Sequence, residues 1–213
     1  MTLDRDLSVH HLEILGGFHP DAGDGLPEGT GTLLMLGPAE PGFWAHVTAQ
    51  AEWQDGQPDP MDRWSKRVLD RIAAAHGGTA LYPFGGPPYH PFYRWALRTG
   101  RVWESPIRLL VHAHQGLMVS FRGALALPER IALPPAVAKP CDTCTAKPCL
   151  TACPVGAIGA GGYDVPACHA YLDTKPDCLN QGCHPRRACP VSQGYARLGE
   201  QSAYHMSRFH GAN

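Results

Sequence analysis

All eight cysteines of this chain stand between Cys141 and Cys189. The stretch reads CDTCTAKPCLTACP, then a spacer carrying Cys168, then CLNQGCHPRRACP. Each half ends in Cys-Pro, at Cys153-Pro154 and Cys189-Pro190. Three closely spaced thiolates can wrap one face of a small inorganic core. The fourth must arrive from elsewhere, and a proline after it ends the local loop and redirects the chain. Disulfides and tetrahedral zinc also use cysteines at short spacing. The N-terminal MTLDRDLSVHHLE has no basic start and no apolar run, so no secretory signal is visible to favour disulfides. Two Cys-Pro endings and a total of eight thiols favour iron–sulfur chemistry over zinc.

The first half spaces its cysteines as C-x2-C-x4-C-x3-C-P, and so resembles two-cluster bacterial ferredoxins, whose pattern is C-x2-C-x2-C-x3-C-P. The resemblance implies a ferredoxin-like module with two [4Fe-4S] clusters. One cluster would take Cys141, Cys144, Cys149 and, across the pseudo-repeat, Cys189. The other would take Cys153, Cys168, Cys178 and Cys183. Cys168 stands apart from the late trio. A similar arrangement occurs in epoxyqueuosine reductases, where a lone cysteine is followed by Tyr-Leu, here Tyr171-Leu172, before a late trio ending in Cys-Pro.

With 213 residues, the chain can hold one large domain or two small ones. The expected division is 1–135, large enough to bury its own core, and 136–213 for the cysteine module. No apolar run reaches the roughly 18 residues needed to span a bilayer, so a soluble cytoplasmic protein is expected. The net charge of −1 hides an asymmetry. Residues 1–60 carry ten acidic side chains and a single basic one, Arg5, while the rest of the chain is net positive. Such a split reflects either partner and cofactor surfaces or mutual neutralisation in the fold. No basic nucleic-acid motif is present, so nucleic acid is not an expected partner.

Within the first 135 residues, 1–30 read as polar and Gly/Pro-rich after a short apolar hint at Leu12, Ile14 and Leu15, with GFHPDAGDGLPEGTG as a loop and with His10 and His11 exposed. Thr32–Gly37 is an apolar run bounded by glycines, which reads as a buried strand. Phe43, Trp44 and Val47 suggest a short helix. The clearest helix runs from about Asp59 to His76, with Asp59 as cap and Pro60 at its first position. Met61, Trp64, Val68 and Ile72 give it one apolar stripe, and Gly77 and Gly78 end it. Residues 79–84 read as a strand and 89–100 as a short helix. The aromatics from Tyr82 to Trp95 suit either core or the wall of a flat cofactor. Residues 107–112 and 118–125 read as two strands of a hairpin around a turn at His114–Leu117. Prolines 128, 134, 135 and 140 then read as a stiff linker. Helix and strand alternate through 32–127, so this half reads as α/β or α+β, within a chain expected to be α+β.

The segment LLVHAHQGLMVSFRGALALP is similar to the cofactor-handling domains of the cobalamin-processing chaperone family and of epoxyqueuosine reductases. That resemblance implies a nitroreductase-like α/β domain able to bind cobalamin or flavin. The matching residues are His112 or His114, Gly116, Phe121, Arg122 and Gly123. The Lys-Asn that follows the turn in the reductases is absent, so their tRNA substrate and catalytic residues are not carried over. Read by themselves, the histidines suit a metal, a cofactor edge or a bond to backbone. Arg122 suits either an anionic group or a salt bridge.

The expected protein is therefore an electron carrier with two clusters, passing single electrons to a cobalamin or flavin held by the first domain. The alternatives are a ferredoxin-like carrier whose first domain only docks a partner, and a zinc-stabilised binding module. Arg186 and Arg187, between two expected ligands, suit an acidic redox donor such as flavodoxin or a reductase. Tyr163–Pro166 reads as a turn into a short helix, and Tyr195, Leu198 and Tyr204 as packing points of the tail.

Overall fold

The computed structural model describes residues 2–174 and 177–211. In chain order its elements are α1 (Leu3–Ser8), β1 (Leu12–Phe18), β2 (Thr32–Pro38), α2 (Phe43–Thr48), α3 (Ala51–Gln54), α4 (Pro60–Ala75), β3 (Thr79–Leu81) and α5 (Phe92–Arg98). There follow β4 (Val102–Glu104), β5 (Leu110–His112), β6 (Gly123–Leu127), α6 (Pro140–Thr143), β7 (Ile158–Gly159) and β8 (Gly162–Tyr163). The chain closes with α7 (Val165–Thr174), α8 (Asp177–Gln181), α9 (His184–Ala188), α10 (Pro190–Gln193) and α11 (Gly199–His210). The protein is mixed α+β with small antiparallel sheets. Among the described residues no helix is long and apolar enough to cross a membrane.

Two compact units divide the chain. The first comprises residues 1–101 and 120–136, the second 102–119 and 137–213. The expected boundary at 135 matches only the last of three crossings. Residues 102–119, assigned from sequence to the first domain, belong to the cysteine unit.

The first unit is built on a four-stranded antiparallel sheet in the order β1-β2-β6-β3. All of β2 and all of β6 are buried, which explains their continuous apolar sequences. β1 carries a bulge between Ile14 and Gly16. Gly16 adopts a φ of 150°, and a Cβ there would lie 2.7 Å from Thr99 Cβ. The apolar hint at Leu12, Ile14 and Leu15 lies in this bulged strand, which runs into the first two residues of the segment expected to be loop, its pattern masked by Gly16 and Gly17. α4 packs on β3 and β6 through its expected stripe, with Met61, Trp64, Val68 and Ile72 all buried. Pro60 opens it, but Asp59 adopts a left-handed φ of 51° and makes no side-chain cap. His10 and His11 are half-buried rather than exposed, with their rings 5.8 and 5.2 Å from that of His46. The strand expected over 79–84 ends at Leu81.

Asp24 is a buried carboxylate in this unit, 2% exposed. It accepts from the Asp21 N–H at 2.8 Å and from the Arg98 guanidinium. Burial alone would raise its pKa, but those two bonds hold it below its ordinary 3.8. A depressed folded pKa means that the contribution is fully present at neutral pH and is lost as pH falls below 3.8. We expect the urea midpoint to fall between pH 5 and pH 3, and to fall less in Asp24→Asn. An equal fall in both proteins would show that this pair is not responsible.

The second unit opens with the β4–β5 ribbon, where Val102 pairs with His112 and Glu104 with Leu110. The expected hairpin between 107–112 and 118–125 does not form. β5 pairs with β4, and β6 joins the sheet of the first unit. A core of Ile107, Val111, Leu117, Ile158, Cys149 and Cys189 ties the ribbon to the cysteine segments. α11 packs on α8. Leu198, expected to pack, is 47% exposed and serves as the residue before α11.

Candidate metal centre

Prolines shape the cysteine segments. Pro140 and Pro190 open α6 and α10, and Pro148 opens the 3-10 turn Pro148–Leu150. Proline suits the first position of a helix because its missing N–H has no partner to lose there. Cys189, before Pro190, is extended at φ −65° and ψ 123°, as pre-proline crowding requires.

Four of the cysteines share one cavity of about 360 Å3: Cys141, Cys144, Cys149 and Cys189. Cys149 and Cys189 are buried, while Cys141 and Cys144 are half-buried. Val111, Leu117, Pro106 and Val191 supply apolar wall. Burial pushes the Cys141 and Cys149 thiols up, and negative charge on neighbouring cysteines adds to that, while Lys139 opposes it at Cys141. Four thiolates in one another's field are costly unless a cationic core compensates them. The donor set therefore fits a thiolate-ligated metal core.

The other four sit on separate elements. Cys168 lies on α7, Cys178 on α8, and Cys183 immediately before α9, while Cys153 follows the 3-10 turn. Burial raises the Cys178 and Cys183 thiols, and Cys168 acts on both. Cys153 and Cys178 both act on the Tyr171 phenol. Cys153 also packs against the core that holds Cys149 and Cys189, but it does not line their cavity. The Tyr163 hydroxyl donates to Cys168 Sγ at 3.3 Å. Nothing in the sequence singled out Tyr163 for this role, because it depends on the β7–β8 hairpin turning Tyr163 toward α7.

A second donor group overlaps this set. Single ligand atoms of Asp177, Cys178 and His184 lie within 4.8 Å of one another. Asp177 also pairs with His184 Nε2 and accepts from Arg187 at 3.2 Å.

The six residues matched to a cofactor-binding stretch are divided between the units. His112, His114 and Gly116 belong to the cysteine unit, and Phe121, Arg122 and Gly123 to the sheet unit. His112 is 2% exposed, and its Nδ1 accepts from the backbone N–H groups of His114 and Gln115 at 3.3 and 3.2 Å. Nδ1 is thus the unprotonated nitrogen, and this ring braces its own turn. The His114 ring meets it edge-on at 5.9 Å. Gly116 lies against Ser192 and Gly123 against Leu69 and Leu81, where a Cβ would clash. Arg122 donates to Asp62 at 3.2 Å and to the Phe121 carbonyl at 3.1 Å. Phe121 is half-buried, its ring 6.4 Å from that of Phe92. In the aromatic segment Phe92 and Trp95 are core residues, whereas Tyr89 and Tyr93 are exposed.

Comparison with family models, with curated proteins and with solved structures gives no match for this chain.

Proposed function

We propose that this chain is an iron–sulfur electron-transfer protein with two [4Fe-4S] clusters. One is held by Cys141, Cys144, Cys149 and Cys189, the other by Cys153, Cys168, Cys178 and Cys183. The observation that carries this reading is the first set, in which thiols some forty residues apart in sequence converge on one cavity. When bound, such clusters take up and release single electrons. The chain's own part is to fix four sulfurs per set, exclude water with Val111, Leu117 and Ile158, and offset negative charge with Lys139, Arg186 and Arg187. The proposal includes a ferredoxin-like second unit, supported by its pseudo-repeat of Cys-Pro endings. It also includes a nitroreductase-like first unit, supported so far by sequence resemblance and by an antiparallel sheet packed against α4.

The donor would be a flavodoxin-type or reductase partner. The acceptor implied by resemblance is a cobalamin or flavin. The structural duties of His112, Arg122 and Gly123 favour the simpler carrier, so the acceptor needs its own test. Anaerobic reconstitution should yield about eight iron and eight sulfide per chain, with broad visible absorption. A colourless protein with stoichiometric zinc would overturn the proposal in favour of the zinc reading, for which the Asp177, Cys178 and His184 donors are the specific support. Titration with cobalamin and with flavins should perturb the spectrum of one of them if the first unit binds the acceptor. Binding of neither leaves a carrier that passes electrons to a separate protein.

A further inference from the structure

The wall of the four-cysteine cavity includes Ser105. Cysteines aside, the other polar residues of that wall are Thr143, Thr145 and Lys147, all exposed and open to water. Ser105 is different. It is 5% exposed, and its Oγ is shut off from solvent with no hydrogen-bond partner among the described residues. Its backbone is committed to the turn that follows β4. The Ser105 N–H donates to the Leu109 carbonyl at 2.8 Å, and the Ser105 carbonyl accepts from the Arg108 N–H at 2.9 Å. Ile107, in the same turn, is fully buried in the core that includes Cys149 and Cys189, which fixes Ser105 against the cysteine segments.

A buried hydroxyl without a partner is costly, because it has given up its bonds to water and gained none in return. Such groups are few in native proteins, and each calls for a partner that the protein atoms do not supply. At this wall the neighbouring groups are the four cysteines and the apolar carbon of Pro106, Val111, Leu117 and Val191. A neutral thiol is a weak acceptor, whereas sulfur that carries negative charge on a metal core is a good one.

We propose that Ser105 is a hydrogen-bond donor to the cluster held by Cys141, Cys144, Cys149 and Cys189, with its O–H directed at a sulfur of that core. A donor at sulfur favours the reduced, more negative form, so Ser105 raises the potential of this cluster. On reduction one electron passes from the redox partner to the iron–sulfur core, and the serine proton stays on its oxygen. Residues 102–119 thereby contribute to the site as well as to its scaffold. This inference rests on the iron–sulfur reading above.

The test is a potentiometric titration of the anaerobically reconstituted full chain, followed by electron paramagnetic resonance. The first cluster is identified as the signal that Cys189→Ala removes. Ser105→Ala is expected to lower the potential of that signal by about a tenfold change in the one-electron equilibrium, 59 mV, and to leave the other potential in place. Electron–nuclear double resonance before and after exchange into heavy water counts the exchangeable protons coupled to the same signal. Ser105→Ala should show one fewer than the wild type. Ser105→Thr, which keeps the hydroxyl, should retain both the potential and the coupling. The inference is overturned if Ser105→Ala leaves both unchanged. It is also overturned if the potential moves while every coupling is retained, since a change of packing would then account for the shift. Should Ser105→Thr fail to load iron because of its added methyl, Ser105→Ala decides the matter alone. Failure of the wild-type chain to load iron would instead overturn the underlying reading.

Discussion

Cys189→Ala is expected to halve the iron content of the reconstituted protein, from about eight atoms per chain to about four, and to remove one of two paramagnetic signals. Cys189 is the last cysteine in sequence, yet it shares a cavity with Cys141, Cys144 and Cys149. Alanine rather than serine is the informative choice, because a serine oxygen can itself ligate iron. The substitution removes one sulfur from a core of Ile107, Val111, Leu117 and Ile158, so the unit should remain folded. Cys168→Ala should have the reciprocal effect and remove the other signal. Retention of both signals in Cys189→Ala would disprove the assignment of ligands. Loss of both from a chain whose circular dichroism is unchanged would mean that the sets are not independent.

The sequence was most informative where structure depends on near neighbours. The stripe Met61, Trp64, Val68, Ile72 specifies α4 because helix periodicity is a local property, and the apolar run Leu33–Leu36 specifies a buried strand for the same reason. Readings failed where pairing is long-range. His114–Leu117 looks like the turn of a hairpin, and a tight turn does close there, with His112 bridged to Gly116. The residues after it leave for the other unit, since β6 finds its partners in β2, more than eighty residues earlier, and in β3. The interleaving of the two units has a related cause. The proline run 128–140 marks a real departure, but the excursion of 102–119 into the cysteine unit carries no compositional signal. Among the candidate site residues, the cysteines stand out in sequence by their spacing alone. The matched stretch 112–123 did not reveal its structural duties, because a histidine that braces a turn and one that binds a cofactor look alike in sequence.

Gly116→Ala separates those two duties. Gly116 adopts a φ of 57°, in the left-handed region, and exchanges both backbone hydrogen bonds with His112 at 3.0 Å. An added Cβ would lie 2.5 Å from Ser192 N and 2.6 Å from Ser192 Oγ, contacts that neither backbone can absorb without moving. Ser192 Oγ in turn accepts from the Leu117 N–H at 2.8 Å. Left-handed strain costs about 1–2 kcal/mol and overpacking about 1–3 kcal/mol, so the expected loss of stability is about 2–5 kcal/mol. The displaced element is α10, which begins directly after Cys189. The damage should therefore reach the first cysteine set. Iron should be lost to a chelator faster from that set, with the second set little changed. Urea unfolding gives the first quantity, and the decay of the two paramagnetic signals under chelator gives the second. A stability within about 0.5 kcal/mol of the wild type, together with lost affinity for cobalamin or flavin, would mean that Ser192 yields to the added Cβ and that Gly116 serves the approach of a flat cofactor to the backbone. That result would restore 112–123 as a binding segment and count against its assignment as a brace for Cys189.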